Sequence, residues 1–148
     1  MRELDMKGLV IGSTSSGKGK DFSALFKILL EEQKNIVVID PLDQLKNLYS
    51  NKEKQGYRIL RYVLEQEGIL QQVGIDLLNP IKEKVLIHVS FPKTLLKNRK
   101  TNSHLVLEFL RIVREKQDAE WKKENSLELY LIEYESYASS QLNNFLGT

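Results

Sequence analysis

Three apolar residues, Leu9, Val10 and Ile11, run into Gly12-x-x-x-x-Gly17-Lys18, and an apolar stripe at helical spacing follows. No other feature constrains the chain as tightly. A short buried strand that leads through a tight glycine-rich turn into an amphipathic helix belongs to a parallel α/β sheet. The stripe is Phe22, Leu25, Phe26 and Leu29, at i, i+3, i+4 and i+7. The chemistry of such a turn is anion binding. Glycines let the backbone approach phosphates, the amide N–H groups form a nest, and the helix N-terminus adds positive partial charge. Lys18 would reach the β- and γ-phosphates as a point charge. The expected phosphate cradle is Gly12, Ser13, Thr14, Ser15, Ser16, Gly17, Lys18, Gly19 and Lys20, and the expected ligand is a nucleotide, ATP.

One position departs from that chemistry. After the lysine such loops place a Ser or Thr hydroxyl on the Mg²⁺ that accompanies the nucleotide. Here Gly19 stands there, followed by Lys20, whose ammonium would repel Mg²⁺ or neutralise phosphate directly. Ser23, one helical turn beyond Gly19, is the hydroxyl expected to reach Mg²⁺ through water, and Asp21 is a nearby carboxylate. Phosphoryl transfer needs a metal bridging the β- and γ-oxygens, so the change bears on hydrolysis more than on binding. A Ser/Gly-rich turn that matches the pattern without binding anything is the competing reading.

The rest of the chain supports a single domain over 1–148. At 148 residues it is long enough for one core. No apolar run approaches the roughly 18 residues that span a bilayer, and MRELDMKG lacks the apolar segment of a signal peptide. With no cysteine, disulfides and thiolate metal sites are excluded, and a cytoplasmic setting is the default expectation. The net charge is +2, from 22 basic and 20 acidic residues, so a nucleic-acid surface would have to be a local patch.

Strand and helix signals alternate. NIVVID (35–40) reads as a second strand, with Asp40 as a cap and Pro41 in a first helical turn, and Leu42, Leu45, Leu48 and Tyr49 suggest a short helix. Arg58 to Val73 reads as helical, interrupted near Gly68. KVLIHVSF (84–91) is a third strand, Ser103 caps a long helix to about Lys123, LELYLIEY (127–134) is a fourth strand, and a polar tail follows. This pattern predicts an α/β fold: a mostly parallel sheet of about four to five strands with helices on both faces.

The segment GSTSSGKGKDFSALFKILLEEQKNIVVIDPLDQLKNLY and the later strand LYLIEYESYAS resemble the P-loop ATPases of the FtsK/HerA superfamily, the DNA-pumping ATPases of conjugation and viral packaging. The resemblance implies a P-loop NTPase-like fold, a Mg-dependent ATPase activity, DNA as a partner, and self-assembly or pairing with a partner ATPase chain. It puts LYLIEY where the family has its Walker B strand, four apolar residues followed by Asp-Glu. Glu133 then falls on the metal-supporting Asp position and Tyr134 on the catalytic Glu position, with Glu135 one residue on. Strand alternation would point Glu133 and Glu135 the same way and Tyr134 the other way, unless the chain turns there. In the family a later strand separates the P-loop and Walker B strands, so the sheet here is expected to be reorganised or completed by another chain. Gly19, Tyr134 and the short segment after Walker B lead us to expect impaired hydrolysis. The GKG triplet also resembles adenylate kinases, although Lys20 replaces their Thr and neither an arginine-rich lid nor an acceptor-site pattern follows.

Other residues carry weaker signals. Lys93, Lys97, Arg99 and Lys100 surround a loop before a helix and are candidates for DNA phosphates, or a solvated basic loop. Arg111, Arg114, Lys122 and Lys123 interleave with Glu108, Glu115 and Glu124 as a salt-bridged helix face. His88 and His104 lack partners at ligand spacing, which argues against a metal site, and Trp121 reads as a core or rim anchor. Two readings stand: an ATPase motor module, and a degenerate P-loop subunit that serves a structural or regulatory role. A nucleotide kinase ranks third.

Overall fold

The computed structural model describes residues 7–11, 18–51, 55–65, 68–77, 84–120 and 127–147; for 7–11, 18–21 and 117–120 only the backbone path is considered. The elements are β1 (Lys7–Ile11), α1 (Lys18–Glu31), β2 (Ile36–Ile39), β3 (Tyr57–Val63), α2 (Gly68–Asp76), β4 (Lys84–Ser90), α3 (Arg99–Glu120), β5 (Glu128–Ile132) and α4 (Ser140–Phe145). All five strands run parallel in the order β1-β5-β2-β4-β3. The fold is therefore α/β, as the alternation of signals predicts.

Helices cover both faces of the sheet. Even-numbered residues of β2 and β5 (Ile36, Val38, Tyr130, Ile132) pack with Phe22, Phe26, Leu29 and Leu30 of α1. Their odd-numbered neighbours (Val37, Ile39, Leu129, Leu131) pack with α2, α3 and α4. A strand buried on both faces reads as a continuous apolar run, which is why IVVI and ELYLI are recognisable in the sequence. The right-handed sense of parallel crossovers accounts for the layers. The chain moves one way along the sheet from β1 through α1 to β2, and the other way through α2 and α3, so these helices fall on opposite faces.

Three expectations need correction. Arg58 to Val73 is not one helix: Tyr57–Val63 is the edge strand β3, and the helix starts at Gly68. Tyr57 and Ile59 pack on the α1 face and Leu60 and Tyr62 on the other, but each face also carries an arginine, which blurs the alternation. Arg58 donates to the Asp76 carbonyl and Arg61 to the Asp43 carboxylate. The tail after β5 is not featureless: α4 buries Leu142 and Phe145, and the Ser139 hydroxyl caps it by accepting from the Leu142 N–H at 3.0 Å. Finally, α3 starts at Arg99 rather than at Ser103. Asn98 Oδ1 accepts from the Thr101 N–H, while buried Ser103 donates to Ser139. Trp121 lies outside the described residues.

The short central strand β2 is tied at its entrance by Asn35. Its side-chain oxygen accepts from the Val85 N–H at 3.0 Å, and its carbonyl accepts from the Glu128 N–H at 2.9 Å, linking β2 to both neighbours. Just upstream, α1 closes in a reciprocal C-terminal motif: Gln33 N–H donates to the Leu30 carbonyl and Lys34 N–H to the Leu29 carbonyl. That geometry puts Gln33 at φ 58°, where a side chain is unfavourable and glycine is normal. Gln33→Gly is expected to raise stability by about 0.5–1 kcal/mol, the removed strain outweighing glycine's entropy. An unchanged or lower urea midpoint would contradict this.

Buried tyrosines make stability depend on alkaline pH. Burial, then the Glu128 charge, pushes the Tyr57 hydroxyl up to about 12. Burial first, then a hydrogen bond to Asp76 or Glu128, raises Tyr62 and Tyr130, and burial raises Tyr137. In the unfolded chain these groups ionise near their ordinary value of about 10. Above that pH the unfolded state binds fewer protons, so stability falls as pH rises. The loss should approach about 1.4 kcal/mol per pH unit for each tyrosine between about 10 and 12. Urea midpoints at about pH 8 and about pH 11 check it; equal values would show that these hydroxyls ionise within the folded state.

Candidate functional site

All parallel strands present their carboxyl ends at one edge, where α/β sheets bind ligands. Ile11 pairs with Ile132, and Ile39 with Leu131 on one side and Val89 on the other. The ends of β1, β2 and β5 therefore all lie at this edge, with Asp40 and Glu133 the residues that follow β2 and β5. Residues 12–17 (Gly12, Ser13, Thr14, Ser15, Ser16 and Gly17) lie outside the described residues. The flanking elements follow the expected order, with β1 ending at Ile11 and α1 opening at Lys18, followed by Gly19 and Lys20 in its first turn. Ser23 is on the same helix.

β5 stops at Ile132, and the chain does turn at the next residue. Glu133 adopts a left-handed conformation, φ 53° and ψ 43°, and Tyr134–Ser136 form a 3-10 turn. Strand alternation therefore ends before Glu135. Ser136 donates to the Glu133 carbonyl at 2.8 Å, and the Tyr134 hydroxyl donates to Asn143 of α4. Beneath them buried Tyr137 donates to the Ile132 carbonyl at 3.0 Å. Tyr134 thus carries a phenol that fastens α4. β1 lies directly beside β5.

Among the described residues, a polar cluster at this edge is one that sequence spacing hides. Asp40, wholly buried, accepts from the Leu45 N–H at 3.0 Å and meets His88 Nε2 at 2.8 Å through the same oxygen, Oδ2. His88 is also wholly buried, on the α1 face of β4, and its Nδ1 lies 2.7 Å from the Tyr49 hydroxyl. The Tyr49 ring stands edge-on to the imidazole, centroids 5.3 Å apart. Burial pushes the Tyr49 hydroxyl up to about 12. Asp43, at φ 58°, is held by Arg61 of β3 and places Oδ1 3.8 Å from His88 Nε2. Ligand atoms of Asp40, Asp43 and His88 all lie within 4.8 Å of one another. Asp40 does not cap a helix, as its Asp-Pro context suggests. It ties a loop whose helical content is one 3-10 turn, Lys46–Leu48.

The clue in the sequence was a histidine inside an otherwise apolar buried strand, because such a group must find a partner. That partner lies 48 residues away, at the end of the adjacent strand.

The basic candidates separate. Arg99 and Lys100 line a groove of about 710 Å³ between α3 and the start of α4, together with Ser103, His104 and Ser139, whereas Lys93 and Lys97 do not line it. Arg99 donates to the Ala138 carbonyl at 3.0 Å. On α3, Arg111 pairs with Glu108 as expected, and Arg114 stacks over Phe145 at 4.1 Å. Lys122, Lys123 and Glu124 lie outside the described residues.

No helix among the described residues is long and apolar enough to cross a membrane. No family model matches the chain, and no match was found among curated proteins or solved structures.

The Tyr49–His88 bond can be tested directly. Tyr49→Phe keeps the ring packing but removes the hydroxyl partner of a buried imidazole nitrogen. It is expected to destabilise the protein by about 1–2 kcal/mol in denaturant unfolding. An unchanged midpoint would show that the bond adds nothing net.

Proposed function

We propose that this protein is a P-loop nucleotide-binding domain that takes ATP through residues 12–20 and hydrolyses it poorly. The observation that carries the reading is the succession of β1 and α1. β1 ends at the carboxyl edge of an all-parallel sheet, and a 14-residue helix begins at the lysine of the GK pair. A helix start at that point supplies the dipole and free N–H groups that favour a polyphosphate. Lys18 would contact the β- and γ-phosphates; Ser23 and Glu133 are the groups proposed to support Mg²⁺, with Glu135 the remaining acidic side chain nearby.

Two features support weak hydrolysis. Gly19 offers no hydroxyl to a metal, and Tyr134, at the position matched to a catalytic acid, is engaged with Asn143. By the resemblance to DNA-pumping ATPases, DNA is the second ligand proposed, with Arg99 and Lys100 as its phosphate contacts. Those features equally support a degenerate subunit whose role is structural or regulatory.

Calorimetric titration of ATP and ADP, with and without Mg²⁺, tests the reading. The wild type should bind with a Kd on the order of micromolar, about −8 kcal/mol, and Lys18→Ala should lose at least about tenfold. Phosphate release should stay near background with and without DNA. Absence of binding under every condition would sink the nucleotide reading, and rapid DNA-stimulated hydrolysis would overturn its second half.

A further inference from the structure

The buried cluster at the ends of β2 and β4 has no part in the nucleotide reading. Asp40 is wholly buried, yet its Oδ1 has no hydrogen-bond partner, and the same is true of Asp43 Oδ1. An unsatisfied buried acceptor costs on the order of 1–3 kcal/mol, more when charged, and two carboxylates that gather at one imidazole, each with such an oxygen, call for a shared electrophile. We propose that Asp40, Asp43 and His88 bind a divalent transition-metal ion of the zinc type, through one oxygen of each carboxylate and the imidazole Nε2.

Geometry supports the donor set. Zinc bonds to nitrogen and carboxylate oxygen of about 2.0–2.2 Å put tetrahedral ligands about 3.3 Å apart. The Nε2 separations from Asp40 Oδ2 and Asp43 Oδ1, 2.8 and 3.8 Å, straddle that value, and all three ligand atoms lie within 4.8 Å of one another, so side-chain shifts of about 1 Å assemble the site. Two of the ligands are also oriented from behind, as metal ligands usually are. Arg61 holds Asp43 through its other oxygen and the Tyr49 hydroxyl meets His88 Nδ1, while the Leu45 N–H fixes Asp40 through Oδ2 itself. With the ion on Nε2, the imidazole carries its proton on Nδ1 and donates it to the Tyr49 oxygen.

The chemistry selects the ion. An imidazole with two carboxylates suits Zn²⁺ over Mg²⁺ or Ca²⁺, which prefer all-oxygen shells. The formal charges of two carboxylates and Arg61 leave one net negative charge for the cation to meet. Asp43, with a side chain 30% exposed, gives the ion a way in and leaves a fourth position open to water.

The test is calorimetric titration of chelator-treated, dialysed protein with zinc chloride, compared with magnesium chloride. One zinc ion per chain should bind with a Kd on the order of micromolar or tighter, while magnesium gives no heat at the same concentration. Asp43→Asn removes a ligand at a partly exposed position and should weaken zinc by at least about tenfold. Its circular dichroism spectrum should match the wild type. Lys18→Ala should leave zinc binding unchanged, which separates this proposal from the nucleotide reading. His104→Ala should also leave it unchanged. Cobalt added to the wild type should give a visible absorption band that His88→Gln abolishes. Absence of a stoichiometric zinc heat, zinc affinity unaltered in Asp43→Asn, or its loss in His104→Ala would each overturn the proposal.

Discussion

The fold depends on a central strand only four residues long. β2 is buried on both faces and hydrogen-bonded on both sides, but Ile36–Ile39 is short for a strand that carries the middle of a sheet. Side chains just outside the strand extend its grip. Asn35 reaches across to the Val85 N–H before the strand begins, and the Asp40 N–H donates to the Val89 carbonyl after it ends. The apolar stripes of α1 and α3 can close on the sheet because β2 is held in register by polar groups at both ends.

The same requirement explains why a charged residue lies at the end of β2. An apolar residue at position 40 would pack without difficulty, but it could not engage His88 or the Leu45 N–H, both of which Asp40 meets. A buried carboxylate and imidazole are favourable only while each keeps its partner. Tyr49 on one side and Arg61, through Asp43, on the other complete the arrangement. The loop after β2 is thereby fixed against β3 and β4 by polar contacts, so its path is set by a few specific side chains more than by its one 3-10 turn.

How much of this was legible follows from how each signal is encoded. β2, β4 and β5 are continuous apolar runs because both their faces are covered, and that pattern survives in the sequence. β3 was not legible, because as an edge strand it spends Arg58 and Arg61 on ties to Asp76 and Asp43, and a polar residue on each face mimics a helical period. α4 was hidden by its length: six residues give too little periodicity, although Leu142 and Phe145 anchor it. The succession of β1 and α1 is local and therefore visible. The Asp40–Asp43–His88 cluster is created by strand order, since β2 and β4 become neighbours only after β3 has been placed outside them. No reading of spacing along the chain could have brought those residues together.

Strand order also bears on how the molecule comes into being. β1 is the first strand in the chain, and its partner in the sheet is β5, the last of the five. β5 must enter between β1 and β2, so neither of its neighbours has its final partner until that pairing forms. Pairings between segments this far apart in sequence are slow, because the intervening chain must be ordered first. During synthesis β2, β3 and β4 can associate while β1 still waits for a template. β1 is thus set in place by the final insertion event, and its pairing with β5 marks the closure of the whole sheet.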